Sequence, residues 1–551
     1  MQKRDYDFII VGSGATGGLL AYELSRRGAE ILMLEGGPHL SPAQAFRTHQ
    51  WPYEFRHRDL KSFFTTASER VGHLWADGSK EPFTTPSGQS FHFPRVRAVG
   101  GKTLLWAGYS YRMSPLDFEN RGSLGQPEWP LSYEDLAPYY DRIEETIGVC
   151  GSQENLIDVP DGKFLPPLKL RCCEMILKLA TNRIGIRAIT ARKDALTRDH
   201  RGSPACHWCG HCSWGCDSQS KFSTLWTYIP WAIETGRCTL QSDAFATEIL
   251  VDDEGLCKGV RYARRHTQDF REAYGKSVVV CGGSVESARL LLLSKSTYHP
   301  NGLANNSDQV GRNLMEHIQS SVSGYMNALR DLPVMNEDGA GGGHLFLPRV
   351  NTYRPSKEYV GGFSLAAGGG ASMSAGFAKR LEGFGSAFKK KVKRYYTANV
   401  SMASICETVP RKENFVDLDP EVKDVYGLPV PRIHFGWGRN EEVMHRHMLE
   451  VIDEIAHAAG ITLTDKRPGA LGWSLHNVGT ARMGSNPRDS VLNQFCQSHE
   501  IPNLFVVDGS CFVSSGYVNP TITILAIGLR SADYMIEEHR RGNLRKRANK
   551  S

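Results

Sequence analysis

Three features are missing from this 551-residue sequence, and each absence excludes a class of protein. The charge is nearly balanced, because 65 Lys and Arg face 59 Asp and Glu, and the net charge of +6 is too weak to indicate nucleic-acid binding. No stretch approaches the ~18 consecutive apolar residues of a membrane-spanning helix. The segment Met1 to Asp7 is polar and has no apolar region of signal-peptide type. We therefore expect no nucleic-acid partner, no transmembrane segment and a cytoplasmic location.

A disulfide framework of the secreted type is also missing. The sequence has 13 cysteines, an odd number, and most of them are scattered, which favours a reducing compartment. Hydrophobic residues at 40% and charged residues at 23% are ordinary for a globular protein with a sizeable core. Glycine is abundant, with 55 residues, which suggests tight turns and close approaches of the backbone to something bound.

Four cysteines fall in one short segment, Cys206, Cys209, Cys212 and Cys216. Their x2, x2, x3 spacing is that of a bacterial ferredoxin run, although Asp217 stands where proline would follow. Thiolates at this density can enclose iron and sulfide. Such a cluster does not always use all four cysteines of the run, because in two-cluster ferredoxins the fourth serves the other cluster. We therefore predict an iron–sulfur site here. Buried free thiols are the second interpretation, and structural zinc is the third, because zinc ligands usually fall into two separated pairs.

The N-terminal segment has the pattern of one βαβ unit. Tyr6 to Val11 is an apolar run of strand length, Leu19 to Arg27 has helical periodicity, and Glu30 to Leu34 is a second predicted strand. Two later runs, Ser277 to Cys281 and Asn503 to Val507, predict further strands of the same buried sheet. The sheet is therefore assembled from distant pieces of the chain.

Gly12, Gly14 and Gly17 form a G-x-G-x-x-G turn between the first strand and the helix. Such a turn places backbone N–H groups and the positive end of the helix against a pyrophosphate, which a Cβ would block. Glu35, at the end of the second strand, is positioned to accept hydrogen bonds from a ribose. We predict a dinucleotide site, although the motif alone does not separate FAD from NAD, and a glycine-rich turn can be purely structural.

Six segments resemble the glucose-methanol-choline (GMC) flavin oxidoreductases in order and spacing. They are Gly12 to Gly17, Arg97 to Gly108, Cys281 to Leu293, Val310 to His317, His476 to Gly484 and Asp508 to Thr521. The cysteine segment and the phrase from Pro502 to Asn519 look most like those of bacterial sugar dehydrogenases and glycoside 3-dehydrogenases or 3-oxidases. The resemblance implies a tightly bound FAD.

The fold class that the resemblance implies is α/β, or α+β over the whole chain. A Rossmann-like FAD-binding domain is interleaved with a substrate-binding domain built on an antiparallel sheet with helices. We assign residues 1–50, 96–120, 200–330 and 466–551 to the FAD-binding domain. The substrate-binding domain and its lid elements take residues 51–95, 121–199 and 331–465. Asn440 to Ala459 is the clearest predicted helix of the second domain.

The resemblance also implies which residues contact FAD. Besides the three glycines and Glu35, they are Ala15, Gly36, Gly100, Gly101, Thr103, Ala246, Cys281, Gly282, Asp508, Gly509, Asn519, Pro520 and Thr521. Some members attach FAD through a histidine in a region where this chain has Leu104, Leu105 and Trp106, so we predict non-covalent FAD. Trp106 is interpreted as a core residue, with a substrate contact as the alternative.

His476 is the candidate catalytic base. An alcohol C–H gives up hydride readily only as the hydroxyl proton leaves, and a neutral imidazole suits that proton near neutral pH. By resemblance His476 matches the family's catalytic histidine and Asn519 its partner, which orients the hydroxyl during hydride transfer to flavin N5. The dipole of the predicted helix Ile522 to Ile536 would stabilise negative charge on the reduced flavin. Capping of this helix is the alternative role of Asn519.

These expectations describe an FAD-dependent enzyme that oxidises a secondary hydroxyl of a sugar, glycoside or sugar acid to a ketone. An iron–sulfur cluster would pass electrons to a cytochrome or other carrier, which favours a dehydrogenase over an oxidase that uses O2. A lyase with a structural flavin and a non-catalytic electron-transfer subunit are two further candidates. The resemblance implies a small subunit as a further partner, and export with a signal-bearing subunit would give a periplasmic location instead.

Overall fold

The computed structural model describes residues 6–46, 50, 54, 71–119, 121–265, 267, 269–333, 339–370, 376–467 and 469–545. Of the predicted lid, residues 51–53 and 55–70 lie outside the described residues, and the lid stays a prediction. Within the described part of the chain, no helix is both long and apolar enough to cross a membrane.

The strands and α-helices follow one another in a mixed order. The strands are β1 Tyr6–Val11, β2 Ile31–Leu34, β3 Ile189–Thr190, β4 Cys238–Gln241, β5 Ala244–Val251, β6 Cys257–Arg264, β7 Phe270–Val280, β8 Ser321–Met326, β9 Leu345–Leu347, β10 Phe363–Gly369, β11 Asn399–Cys406, β12 Phe415–Lys423, β13 Pro429–His434, β14 Ile461–Arg467 and β15 Leu504–Val506. The helices are α1 Ala15–Ser25, α2 Pro42–Ala45, α3 Pro115–Phe118, α4 Tyr133–Ile147, α5 Cys172–Arg183, α6 Tyr228–Glu234, α7 Ser284–Leu293, α8 Gly385–Tyr395, α9 Arg439–Ala458 and α10 Thr521–Arg541.

The first sheet is largely parallel. β4, β2, β1, β7 and β15 run parallel, and β6 and β5 continue from β7 in antiparallel pairs. In β1, Phe8, Ile9 and Ile10 are fully buried, as expected for a strand covered on both faces. α1 packs against α10, so the N-terminal βαβ unit is held by a helix from the far end of the described chain.

The carboxyl ends of the parallel strands meet at one edge of this sheet. β1 ends just before Gly12, β2 just before Glu35 and β7 just before Cys281, and Asp508 lies two positions after the end of β15. Ligands of open α/β sheets bind outside this edge. The topology therefore brings together cofactor residues that lie hundreds of positions apart in the sequence.

The second sheet is antiparallel and has the order β14-β8-β11-β10-β9-β3. α9 and α5 pack on it, and Met444, Met448 and Ile452 of α9 are completely buried in its apolar cluster. The predicted helix Asn440 to Ala459 matches α9 to within one residue. A Rossmann-like sheet joined to an antiparallel sheet with helices confirms the predicted fold class, while the exact domain boundaries stay a prediction.

Candidate active site

A cavity lies at the carboxyl edge of the first sheet, beside the first turns of α1, α7 and α10. Thirteen of the predicted cofactor residues line it: Gly12, Gly14, Ala15, Glu35, Gly36, Gly101, Thr103, Ala246, Cys281, Gly282, Asp508, Gly509 and Thr521. Gly17, Gly100, Asn519 and Pro520 do not line this cavity, although each adjoins a residue or turn that does. The structure thus gathers the predicted nucleotide residues into one place.

The three glycines of the first turn have different roles. Gly12 has a φ of +99°, and a Cβ there would lie 2.5 Å from the carbonyl oxygen of Cys281. A Cβ on Gly17 would lie 1.9 Å from the carbonyl oxygen of Gly12, so both positions require glycine for packing. Around a Cβ on Gly14, no atom of the described residues other than its chain neighbours lies within 4 Å, because this position faces the open cavity at the N-terminus of α1. Gly14 therefore keeps space free for a ligand beside the helix end.

Glu35 is held in place by the first turn. Its carboxylate accepts hydrogen bonds from Ser13 Oγ at 2.6 Å, Ser13 N at 3.1 Å and Gly37 N at 2.9 Å. Burial raises the pKa of Glu35, and these hydrogen bonds oppose that rise. Since a carboxylate offers about four lone-pair sites, one stays available for a ribose hydroxyl.

A second glycine loop, Gly100 to Thr103, contacts the first. Gly100 N donates to Ser13 Oγ at 3.0 Å, and Thr103 Oγ1 donates to the carbonyl oxygen of Gly100 at 2.6 Å. A Cβ on Gly101 would lie 3.3 Å from Gly14 Cα, so the two loops approach backbone to backbone. Trp106, which follows this loop, packs against the core and also lines the cavity, and its Nε1 donates to the carbonyl oxygen of Phe222 at 3.0 Å.

Asp508 joins the end of the first sheet to α7. Its Oδ2 accepts hydrogen bonds from Gly283 N at 2.9 Å and Ser287 Oγ at 2.6 Å. Its Oδ1 accepts from Ser510 N at 2.8 Å and Ser510 Oγ at 2.6 Å. Four donors on one carboxylate fix the loop that forms this wall of the cavity.

Among the described residues, the cavity wall offers one buried side-chain donor without a partner and one helix end without a side-chain cap. Asn477 Nδ2 is buried without a hydrogen-bond partner, and Asn477 lines the cavity. α10 has no side-chain cap, and Thr521 and Ile524 from its first turn also line the cavity. A buried amide donor and the positive end of a helix suit an electron-accepting ring that gains negative charge. Together with the glycine turn and Glu35, these groups fit FAD.

An ion-pair cluster borders the cavity and was missed by the sequence analysis. Arg97 Nε is 2.6 Å from Glu81 Oε2, and Arg97 Nη2 is 2.8 Å from Glu286 Oε1. Burial works to raise the pKa of Glu286, but the charges of Arg97 and Arg95 outweigh it and lower that pKa to about 2. Arg97 and Glu286 stand in two of the segments that carry the family resemblance, but no local pattern shows that they pair.

His476 and Asn519 lie next to each other beside this cavity. Asn519 Nδ2 is 3.2 Å from His476 Nε2, and the cavity is lined by Asn477, which follows His476, and by Thr521, two residues after Asn519. Burial lowers the pKa of His476 well below its ordinary value, and electrostatic interactions with the neighbouring His317 ring and with Lys102 add to this effect. The imidazole is therefore neutral at pH 7 and can accept a proton.

Glu316 and His317 adjoin His476 and were also missed as site residues. Glu316 Oε1 accepts a hydrogen bond from Ser474 Oγ and another from His476 N at 3.3 Å. Burial raises the pKa of Glu316 to about 7. His317 Nδ1 is 2.9 Å from His476 Nδ1. The only signal in the sequence was that both residues end the segment Val310 to His317, which carries part of the resemblance.

The four clustered cysteines do not form the predicted metal site. Among the described residues, which include all four, no group of three or more His, Cys, Asp or Glu side chains is arranged to hold a metal ion. Cys206, Cys209, Cys212 and Cys216 are free cysteines. The iron–sulfur prediction is therefore not supported. The second interpretation, free thiols, agrees with the structure.

Each of these sulfurs has its own surroundings in the fold. Burial raises the pKa of Cys206 to about 12 and that of Cys209 to about 11. Separate backbone N–H groups hold two of the other sulfurs, since Ser220 N donates to Cys216 Sγ at 3.3 Å and Gly341 N donates to Cys212 Sγ at 3.2 Å. Spacing alone did not predict this arrangement.

Comparison with known proteins decides the family. Models described as GMC oxidoreductase match residues 6–319 and residues 410–528. The chain belongs to the GMC oxidoreductase family. This confirms the predicted resemblance and its identification as a flavoprotein oxidoreductase.

Several relatives extend over nearly the whole GMC chain. A 2-methyl-1,2-propanediol dehydrogenase of Mycolicibacterium austroafricanum is 31% identical, with 96% of this chain and 95% of the relative covered. A fructose dehydrogenase large subunit of Gluconobacter japonicus is 26% identical, with coverage of 97% and 98%. A paromamine 6'-oxidase of Streptomyces fradiae is 27% identical, with coverage of 96% and 91%. The relatives thus include dehydrogenases and an oxidase.

A solved structure shares the fold. A formate oxidase of Aspergillus oryzae, studied for its FAD modification, superposes with a TM-score of 0.65 at 15% identity and covers 98% of this chain and 100% of its own. Family membership and the donor set of the cavity support FAD as the cofactor.

Proposed function

We propose that this GMC oxidoreductase oxidises a secondary hydroxyl of a sugar, glycoside or sugar acid to a ketone. The observation that carries the proposal is the neutral His476 imidazole, whose Nε2 meets the Asn519 amide beside a cavity that fits FAD. Relatives named for fructose and paromamine support a sugar-like substrate.

The side chains of Asn519 and His476 have different roles toward the alcohol. FAD, when bound, supplies the acceptor for a hydride. An alcohol oxygen placed beside both side chains accepts the Asn519 N–H and donates its own proton to His476 Nε2. His476 takes this proton while the carbinol hydrogen leaves with its electron pair, so the alcohol loses one H⁺ and one H⁻ and becomes a carbonyl. General-base catalysis of this kind contributes a factor of about 10² to 10⁴.

Anaerobic mixing with a substrate panel tests the reaction. The panel contains fructose, gluconate, an alkyl glucoside, paromamine and 2-methyl-1,2-propanediol, and the flavin absorbance reports reduction. We expect at least one sugar to bleach the flavin and to yield a ketone two hydrogens lighter. Bleaching by 2-methyl-1,2-propanediol alone would indicate a primary alcohol, because its other carbinol carbon has no hydrogen. A flavin that no compound reduces would favour a lyase in which the flavin is structural.

We further propose that the enzyme is a dehydrogenase. The relative with 31% identity is named as a dehydrogenase, and another is named as the large subunit of one, which supports a partner subunit and a separate electron acceptor. The oxidase among the relatives keeps O2 as the second candidate. Stopped-flow reoxidation distinguishes them. A soluble quinone should reoxidise the reduced flavin faster than air-saturated buffer, and the reverse order would make the protein an oxidase.

A further inference from the structure

His317 lies between the proposed base and a turn of the backbone. It is 1% exposed, and its ring is nearly perpendicular to that of His476, with the centroids 5.1 Å apart. His317 Nδ1 is 2.9 Å from His476 Nδ1. On the other side, His317 Nε2 is 3.1 Å from the carbonyl oxygen of Ser515 and 2.9 Å from that of Gly516.

The two carbonyl oxygens determine where His317 carries its proton. A carbonyl oxygen can only accept a hydrogen bond, so His317 Nε2 must be the protonated nitrogen. Burial lowers the pKa of His317 to about 4, so the ring is neutral at pH 7 and its Nδ1 has a lone pair. This nitrogen therefore acts as an acceptor toward His476.

The proton of His476 follows from the same logic. Two ring nitrogens 2.9 Å apart need one proton between them, and His317 Nδ1 has none, so His476 Nδ1 must carry it. In a neutral imidazole the other nitrogen, His476 Nε2, then has the lone pair. That nitrogen is the one that faces Asn519 Nδ2, at 3.2 Å.

We propose that His317 is a positioning residue that holds His476 in the Nδ1–H tautomer and so keeps Nε2 free to take the substrate proton. The inference rests on the proposed function, because only a base that works through Nε2 needs this tautomer. After proton uptake, the His476 Nδ1–H still donates to His317 Nδ1, so the imidazolium keeps a neutral acceptor. Without His317, part of the His476 population can carry its proton on Nε2, where it cannot act as a base.

Three variants separate the acceptor role from the packing of the ring. In His317→Asn, the side-chain oxygen stands near the position of Nδ1 and can still accept from His476. In His317→Gln, the side-chain amide nitrogen stands near the position of Nε2 and keeps the bond to the Ser515 and Gly516 carbonyls, but no acceptor faces His476. His317→Phe fills the space with neither group. Circular dichroism and FAD content confirm that each variant folds.

The first readout needs no substrate. Nitrogen-15 NMR of the FAD-loaded protein labelled at histidine reports which nitrogen of His476 is protonated, and the signal is assigned by its loss in His476→Ala. We expect the Nδ1–H tautomer in the parent protein and in His317→Asn, and an added Nε2–H population in His317→Gln. An Nε2–H tautomer in the parent protein would overturn the proposal.

The second readout is the rate of flavin reduction by a substrate found in the panel. We expect His317→Gln and His317→Phe to reduce the flavin at least about 10-fold more slowly than His317→Asn. The largest effect to expect is a factor of about 10⁴, the fall in rate when a Ser-His-Asp triad has the wrong histidine tautomer. Equal rates for Asn and Gln would contradict an acceptor role. If no alcohol reduces the flavin, the proposed function fails, whereas the NMR measurement still decides the tautomer.

Discussion

At the residue scale, burial shifts the pKa values of the titratable groups beside the base. His476 and His317 both have lowered pKa values because the folded protein surrounds them, while Glu316 beside them has a raised one. In each case burial favours the neutral form of the group over the charged form. A charged imidazole at His476 could not accept the hydroxyl proton, so its lowered pKa keeps it in the proton-accepting form at neutral pH.

Replacement of the base should separate chemistry from cofactor binding. We expect His476→Ala to keep FAD, because His476 is not part of the cavity wall that holds the nucleotide, and to slow flavin reduction about 100-fold or more. Stopped-flow absorbance under anaerobic conditions measures the rate. Reduction at the parent rate would remove His476 from the mechanism, and a colourless variant would show that the residue also supports cofactor binding.

Acid should destabilise the protein through His317. The pKa of His317 is about 4 in the folded protein against an ordinary value of 6.5, so between these pH values the unfolded chain binds a proton that the folded protein does not. The free energy of unfolding therefore falls as the pH drops from 6.5 through 4, by about 3 kcal/mol in total from this group. Urea unfolding followed by tryptophan fluorescence at several pH values measures this slope.

The variant His317→Asn serves as the control for that slope, because asparagine does not titrate. Its stability should depend less on pH than that of the parent protein in the same window, whatever the absolute stabilities are. Parallel pH profiles for the two proteins would mean that His317 is not buried in a neutral form.

At the element scale, the glycine turn that leads from β1 into α1 contains two kinds of glycine. Gly12 and Gly17 are needed because the backbone itself fills the space around them, whereas Gly14 faces an open cavity. The sequence motif treats the three alike. Only the structure shows which glycine serves the packing of the turn and which serves the ligand.

We expect Gly14→Val to fold but to lose FAD. Apart from its chain neighbours, no described residue comes within 4 Å of the new Cβ, so the side chain occupies cavity space at the helix end. The ratio of flavin to protein absorbance measures occupancy, and circular dichroism measures folding. Gly78→Val is the matched control, because Gly78 also has open space around it but lies in an exposed segment away from the cavity. Full occupancy in Gly14→Val would mean that no phosphate group approaches this turn.

Several elements could be predicted from local patterns. The strand Tyr6 to Val11 matches β1, and the helix predicted at Asn440 to Ala459 matches α9, because an apolar run and a 3.6-residue period are local signals. The cysteine segment shows the limit of such reasoning. Its spacing indicated a cluster, but the conformation of the loop and the burial of each thiol depend on contacts that the spacing does not encode.

At the scale of the whole molecule, the site is built from pieces that the sequence keeps far apart. His476 and Asn519 were identified only through the family resemblance, since a lone histidine has no distinctive pattern. His317 was missed because its role depends on His476, 159 positions away, and on the carbonyl oxygens of Ser515 and Gly516. Such a chain of hydrogen bonds exists only in the folded protein, so no local sequence pattern predicts it.

FAD should come off the protein without cleavage of a covalent bond. Where other members of the family have an attaching histidine, this chain has leucine and tryptophan, so acid precipitation should release all flavin into the supernatant. Absorbance of supernatant and pellet measures the split. Yellow colour that stays with the pellet would reveal a covalent link at another residue.

Bound FAD should also stabilise the fold as a whole. The cavity joins strand ends from β1, β2, β7 and β15, and a ligand that binds only the folded state stabilises it by about 2.7 kcal/mol at 100 times its Kd. Protein depleted of FAD should unfold at a lower temperature, and added FAD should restore the transition in a concentration-dependent way. An unchanged Tm on reconstitution would show that the cavity does not bind FAD.

The placement of Asp508 and α10 in the cavity wall has a consequence for biosynthesis. Gly12 is translated almost 500 residues before the opposite wall, so the nascent chain cannot enclose the nucleotide until Asp508 and α10 have emerged. We therefore expect cofactor loading to follow the synthesis of this segment. Chains whose translation stops before Asp508 should accumulate without colour, however much free FAD the cell contains.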